Sequence, residues 1–261
     1  MSHFTIKTFS DQLYRPIEFE VMMPDVHTIE LPWAQKRETD RPDKTIFLFH
    51  GFSGNAGLFI PEYPIEKHNI AVVMPSVENS FYLDAEATGR KFCTFVGEEL
   101  PAFMRRTFGL CSSKDDTYVL GLSMGGFGAL HTGLRYPDTF GKIGAMSSAL
   151  IHHEVAGMKE GTGNAVANYA YYREVFGEPS KLLGSENDPE ELVKRLIKDG
   201  KELPEIFMAC GTEDFLLEEN RAFHRFLENE GVQHTYVEDE GNHDPKFWSK
   251  YSEIIIDKFM E

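Results

Sequence analysis

Thirteen consecutive residues constrain this chain more than any others: Tyr118-Val119-Leu120, then Gly121-Leu122-Ser123-Met124-Gly125, then Gly126-Phe127-Gly128-Ala129-Leu130. The first three continue an apolar run that reads as a short buried strand. The last five open a helix of small residues that can pack closely. A strand that turns at once into a helix crowds the backbone two residues either side of the turn. Glycine stands at both of those places, Gly121 and Gly125. The unit therefore belongs to a chain that winds strand and helix in alternation.

The rest of the sequence repeats that alternation. Thr45-Ile46-Phe47-Leu48-Phe49 and Ile70-Ala71-Val72-Val73-Met74 are continuous apolar runs of the kind buried on both faces of a parallel sheet. Glu205 to Cys210 and His234 to Glu238 read as later strands. Near the N-terminus Ile17, Phe19, Val21 and Met23 alternate with other residues, as one strand of an antiparallel hairpin should. Phe92, Phe95, Val96, Leu100, Phe103 and Met104 recur at helical spacing. Pro101 is expected to interrupt and kink that helix. Ala222, Phe223, Phe226 and Leu227 mark another helix, and Phe247, Trp248, Tyr251, Ile254, Ile255 and Phe259 mark the last. The expected fold is α/β: a mostly parallel central sheet with helices on both faces, a three-layer sandwich. No repeat, low-complexity segment or linker divides it, so residues 1–261 read as a single domain. The charged stretch 36–44, with Pro42, reads as a surface loop without chemistry. From 149 to about 200 no strand is evident. This stretch holds Tyr169, Tyr171, Tyr172, Phe176 and a polar helix near Glu190 to Lys198. It reads as a small lid-like insertion over the site, with a plain helical crossover as the alternative.

The pentapeptide around Ser123 has the form G-x-S-x-G, the nucleophile elbow of α/β-hydrolases. A serine hydroxyl needs a base, and the base needs an orienting acid. In that fold they follow in the order serine, acid, histidine, in loops after later strands. Asp214 lies just past the strand ending near Cys210, and His243 just past the strand ending near Glu238. Asp214 as acid and His243 as base fit the order. The neighbouring Glu213 competes for the acid and could instead cap the following helix. Of the ten histidines, His131 and His224 lie on helix patterns, and His152 and His153 lie in an irregular segment. These four read as structural or solvated.

A tetrahedral intermediate carries an oxyanion that backbone N–H groups must hold. One donor is the residue after the nucleophile, Met124. The other should come from the loop after an early central strand, His50-Gly51-Phe52-Ser53-Gly54, with Phe52 as donor. The His50 side chain is expected to brace that loop and do no chemistry. Phe81 and Tyr82, beyond a strand end, and Trp248, close after His243, are candidates for the substrate pocket, with core packing the alternative.

These stretches carry a family likeness. The chain resembles the putative-esterase family of α/β-hydrolases, which includes esterase D, S-formylglutathione hydrolases, tributyrin esterases and some feruloyl and acetyl-xylan esterases. The carriers are His50-Gly51-Phe52, Asn79-Ser80-Phe81-Tyr82, Glu98-Glu99-Leu100-Pro101, the stretch from Gly121 to Ala129, Gly211-Thr212-Glu213-Asp214-Phe215 and Gly241-Asn242-His243-Asp244. The resemblance implies Ser123, Asp214 and His243 as the triad and is strongest toward the tributyrin-esterase branch. The glutathione-hydrolase branch differs at Asn79-Ser80-Phe81-Tyr82 and has a histidine where this chain has Leu122. The implied activity is a serine carboxylesterase acting on small short-acyl esters through an acyl-enzyme. The alternatives are an S-formylglutathione hydrolase or a feruloyl or acetyl-xylan esterase with the same triad, and a non-catalytic binding relative.

Composition narrows the setting. A net charge of −16 argues against nucleic acid and anionic membrane surfaces as partners. Three widely spaced cysteines, Cys93, Cys111 and Cys210, read as reduced thiols in a cytoplasmic protein. No signal peptide or membrane span is visible. No cofactor is called for, and Gly121 to Gly128 lacks the lysine of a phosphate-binding loop. His152-His153-Glu154 is not read as a metal site, because adjacent residues on a regular element point apart. A small-molecule ester is the expected partner. The sequence is compatible with a monomer or a homo-oligomer.

Overall fold

A computed structural model describes residues 1–25, 42–57 and 60–261. Most of the charged stretch 36–44, up to residue 41, lies outside the described residues. Eight strands form one sheet: β1 (Ser2–Ser10), β2 (Arg15–Met23), β3 (Lys44–Phe49), β4 (Ile70–Pro75), β5 (Thr117–Leu122), β6 (Lys142–Met146), β7 (Glu205–Gly211) and β8 (His234–Asp239). The helices are α1 (Glu62–His68), α2 (Phe92–Thr94), α3 (Leu100–Phe108), α4 (Met124–Arg135), α5 (His152–Ala156), α6 (Tyr169–Phe176), α7 (Pro189–Lys198), α8 (Leu217–Asn229) and α9 (Pro245–Phe259).

The strand order is β1-β2-β4-β3-β5-β6-β7-β8. β1 pairs antiparallel with β2, and β2 antiparallel with β4; the remaining pairs are parallel. The period of two along each strand sorts its residues to two cores. Ile46 and Leu48 of β3 join one cluster, while Phe47 and Phe49 join the other. In β4, Ile70, Val72 and Met74 go one way and Ala71 and Val73 the other. Both faces are buried, so these strands read as unbroken apolar runs. Each such side chain contributes about 1.5–3 kcal/mol on leaving water. α1 and α9 cover one face through Ile65, Phe247, Tyr251 and Ile255. α4, α7 and α8 cover the opposite face through Phe127, Leu130, Val193, Phe223 and Leu227. This is the expected three-layer α/β sandwich.

Two details differ from the sequence reading. Where Pro101 was expected to interrupt the helix, the irregularity lies ahead of it: residues Phe95–Glu99 form a π-helical turn, in which the Leu100 N–H donates to the Phe95 carbonyl. Pro101 then sits in the first turn of α3, where its missing N–H costs nothing. The second difference is β6, Lys142-Ile143-Gly144-Ala145-Met146, which was not anticipated as a strand.

Candidate active site

The carboxyl ends of β3, β5, β6, β7 and β8 converge on one edge of the sheet, and the predicted site residues hang from the turns there. Ser123 separates β5 from α4. Its backbone is left-handed, φ 55° and ψ −118°, a conformation that costs about 1–3 kcal/mol for a residue with a Cβ. Its N–H donates to the Met146 carbonyl at 2.9 Å, and its own carbonyl accepts from Gly126, Phe127 and Ala149. The flanking glycines are set by close approach. A Cβ at Gly121 would lie 2.0 Å from the Gly125 carbonyl oxygen, and one at Gly125 would lie 2.2 Å from that of Phe49.

Asp214 follows β7, and its side chain is wholly buried. His243 follows β8. Its Nδ1 lies 2.9 and 3.1 Å from the two Asp214 carboxylate oxygens, and its Nε2 lies 3.0 Å from Ser123 Oγ. Burial works to raise the Asp214 pKa. The hydrogen bonds from His243, the Leu216 N–H and the Ser147 hydroxyl outweigh it and hold the group below the usual aspartate value. An ionised carboxylate can only accept. Nδ1 therefore carries the proton, and Nε2 presents a lone pair to the serine hydroxyl.

Glu213, the competitor for the acid, does neither of the things expected of it. Its Oε2 accepts from the Gly241 N–H at 2.8 Å, so it ties the histidine loop to the Asp214 turn. Asp244, the residue after His243, caps α9 by accepting from the Phe247 N–H.

Met124 N–H belongs to the first turn of α4, where helix amides lack intrahelical acceptors. Phe52 lies in the turn after β3. Both residues line one cavity of about 760 Å³ with Ser123 and His243. The Phe52 loop is braced as expected of His50: Nδ1 donates to the Gly51 carbonyl at 2.8 Å, and Nε2 accepts from the Val77 N–H at 3.2 Å. Burial lowers the His50 pKa, which keeps that accepting nitrogen free. Asn79 adds a second brace, its Oδ1 accepting from the Ser53 N–H at 2.7 Å.

Of the three pocket candidates, Phe81 and Trp248 line the cavity and Tyr82 does not. Tyr82 is fully buried, stacks on Phe49 at 4.1 Å between centroids and donates its hydroxyl to the His50 carbonyl. It supports the His50–Phe52 loop. Trp248 stands edge-on to His243 at 5.0 Å, and its Nε1 donates to Ser147 Oγ at 3.1 Å. Ser147 was not anticipated. It follows the unanticipated β6, and it links Trp248 to Asp214. Phe215, 69 % exposed and 4.5 Å from the His243 ring, stands at the cavity mouth.

The segment from 149 to about 200 supplies part of the cavity wall: Ala149, Ile151, Glu154, Asn164, Ala165, Val166 and Tyr172. A larger cavity of about 1190 Å³ lies on its other side and holds none of Ser123, Asp214 or His243. Among the described residues one group is spaced to hold a metal ion, His152, His153 and Glu190. None of its members lines the cavity that holds Ser123 and His243. The expectation that neighbouring His152 and His153 point apart is corrected by their ring centroids, 4.4 Å from each other.

Comparison with known proteins shows the family and the fold. The family model described as "Putative esterase" matches residues 10–251. An acetyl esterase of Caldicellulosiruptor saccharolyticus is 47 % identical over 213 residues, 80 % of this chain and 80 % of that protein. A substrate-bound, fluorophosphonate-binding serine hydrolase of Staphylococcus aureus superposes with a TM-score of 0.84 at 23 % identity, covering 100 % of this chain and 98 % of that one. The S-formylglutathione hydrolase of the same organism superposes with a TM-score of 0.82 at 24 % identity, covering 100 % and 99 %.

Proposed function

The chain belongs to the putative-esterase family and is a serine carboxylesterase; on that premise we propose that Ser123, His243 and Asp214 are its triad and that short-acyl esters, acetates foremost, are its substrates. The observation that carries the assignment is the unbroken chain Ser123 Oγ, His243 Nε2, His243 Nδ1, Asp214, at 3.0 and 2.9 Å, facing the cavity that Phe52 and Met124 also line.

Ser123 Oγ attacks the ester carbonyl while its proton passes to His243 Nε2. The Phe52 and Met124 amides receive the oxyanion, each donor contributing about 3–4 kcal/mol to the transition state. The C–O bond to the alcohol breaks, and the leaving oxygen takes the proton back from His243. Water then loses a proton to the same nitrogen and attacks the acyl-serine; the bond to Ser123 Oγ breaks, Oγ takes that proton back from His243, and the carboxylic acid leaves. Asp214 keeps imidazole in the required tautomer and stabilises its charged form.

The acyl preference rests on two supports. The relative that shares 47 % of its residues is an acetyl esterase. Phe81 and Tyr172, both buried, line the inner part of the cavity. The segment from 149 to about 200 acts as a lid-like insertion within one domain. Phe52 meets Tyr171 of this segment edge-on at 5.9 Å, so the insertion touches the oxyanion loop. No described helix is long and apolar enough to cross a membrane. The free cysteines, all buried, support a cytoplasmic setting.

p-Nitrophenyl esters from acetate to laurate, with S-formylglutathione and methyl ferulate beside them, test the substrate reading. We expect kcat/KM to peak between acetate and butyrate and the acyl group to be found on Ser123 by mass spectrometry. Efficiency rising through decanoate, or a thioester substrate preferred over every ester, overturns it.

A further inference from the structure

His152 opens α5 and is 2 % exposed, yet among the described residues neither of its ring nitrogens has a hydrogen-bond partner. A buried imidazole is costly to leave so. Its Nε2 does face acceptors, at distances too long for hydrogen bonds: Glu190 Oε1 at 3.6 Å and Asp188 Oδ1 at 3.8 Å. His153, the next residue on α5, brings its own Nε2 to 2.9 Å from the same Glu190 oxygen. One ligand atom from each of His152, His153 and Glu190 lies within 4.8 Å of the others. Asp188 has a separate duty, because its two carboxylate oxygens accept from the Glu190 N–H in the first turn of α7 and from the Gly184 N–H in the loop before it.

We propose that His152, His153 and Glu190 form a binding site for a divalent transition-metal ion of the zinc type, which clamps α5 to the first turn of α7. Two imidazoles and a carboxylate are the donor set that zinc favours, with water completing the tetrahedron. Ligand bonds of about 2.0–2.2 Å place neighbouring donor atoms about 3.4 Å from one another. The observed 3.6 and 2.9 Å bracket that separation, so small side-chain rotations seat the ion. The ion would give the stranded His152 nitrogen its partner, and the Asp188 caps hold Glu190 in place from behind. The clamp is independent of the ester chemistry. It would nonetheless stiffen the cavity wall, since Ile151 and Glu154 flank the two histidines and both line the cavity.

The test uses the full chain, stripped with EDTA, desalted and titrated with zinc chloride by calorimetry and by equilibrium dialysis with metal analysis. A His243→Gln background removes competition from the imidazole beside Ser123. We expect one high-affinity zinc per chain, with affinity falling on the order of tenfold or more in His153→Gln and in Glu190→Gln. His224→Gln serves as control, since His224 and His234 form another imidazole pair with nitrogens 2.8 Å apart. It should leave the binding unchanged. His153 is 55 % exposed at its side chain, so its substitution keeps the fold even if that of Glu190 does not. The thermal midpoint should rise with zinc in the parent protein and stay fixed in His153→Gln. Cobalt in place of zinc should give the visible absorption of a tetrahedral site. Binding weaker than about 1 mM, or undiminished in His153→Gln, or abolished by His224→Gln, overturns the proposal.

Discussion

Ser123 and Val166 line the same cavity, but the chain holds them by different means. Ser123 ends a strand that is paired on both sides, and its backbone N–H and carbonyl together take part in four hydrogen bonds. Val166 lies 56 % exposed in a loop, its N–H donated to the side chain of Asn164, with a single isolated bridge, Gly163 to Asn168, nearby. The sheet fixes the proposed reacting groups and can impose a strained elbow on one of them. The wall is built from short helices and side-chain-closed turns. Changes in the wall should therefore alter which ester fits, and changes at the strand ends should alter whether any ester reacts.

The largest effect tests the sheet half of that contrast. Ser123→Ala should lower kcat by on the order of a millionfold, with circular dichroism and the unfolding midpoint unchanged. A tenth of the parent rate remaining on p-nitrophenyl acetate would show that the elbow does not carry the nucleophile. Asp214→Asn should cost on the order of ten-thousandfold in kcat, because an amide can donate to Nδ1 and so favours the wrong imidazole tautomer. A loss of only a few-fold would move the acid elsewhere.

The third prediction concerns the tie between the two regions. His131 of α4 donates Nε2–H to the carbonyl of Glu186, which lies in the insertion. Burial lowers its pKa to about 4. The unfolded chain, with an ordinary histidine near 6.5, therefore binds the extra proton first as pH falls. Stability is retained above 6.5 and drains between 6.5 and 4, by about 2 kcal/mol from pH 7 to pH 5, or roughly thirtyfold in the unfolding constant. Urea unfolding of His131→Gln at the two pH values should show that part of the slope gone. An unchanged slope would mean that His131 does not titrate as a buried group.

Ser147→Ala removes one of three hydrogen-bond supports of the Asp214 carboxylate together with the acceptor of Trp248 Nε1. kcat should fall about tenfold with KM little changed. Equal losses in kcat/KM through KM alone would make Ser147 a wall residue only. The smallest effect belongs to the wall. Tyr172→Ala should lengthen the acyl pocket, raising the hexanoate-to-butyrate efficiency ratio by about fourfold per methylene accommodated. A ratio that does not move would place the acyl limit at Phe81.

The groups placed from sequence were those whose position follows from strand order. β3, β5 and β7 announce themselves by apolar runs, β8 reads as a strand without one, and Phe52, Met124, Asp214 and His243 stand just after these elements. β6 gave no such signal. Gly144 breaks its run and is needed there, since a Cβ would come within 2.7 Å of Leu120 and Ile255 side chains. Ser147 was hidden along with the strand. Phe81 and Tyr82 could not be told apart because both have left-handed backbones, φ 52° and 57°, for which neither the strand nor the helix period assigns a face. Glu213 was ambiguous for another reason: its partner, the Gly241 N–H, is 28 residues away along the chain. The π-helical turn before Pro101 involves a backbone shift of one residue, to which side-chain periodicity is nearly blind.

The order in which the strands enter the sheet has a consequence in time. The proposed nucleophile, Ser123, precedes β6, β7 and β8 along the chain, whereas the His243 loop follows β8. A growing chain carries Ser123 long before its proposed base, and β8, the far edge of the sheet, is the last of the described strands to be laid down. Until then the serine is an ordinary alcohol. On the proposed triad, hydrolytic power arrives as a step with β8, and the first turnover reports that this edge of the sheet is in place.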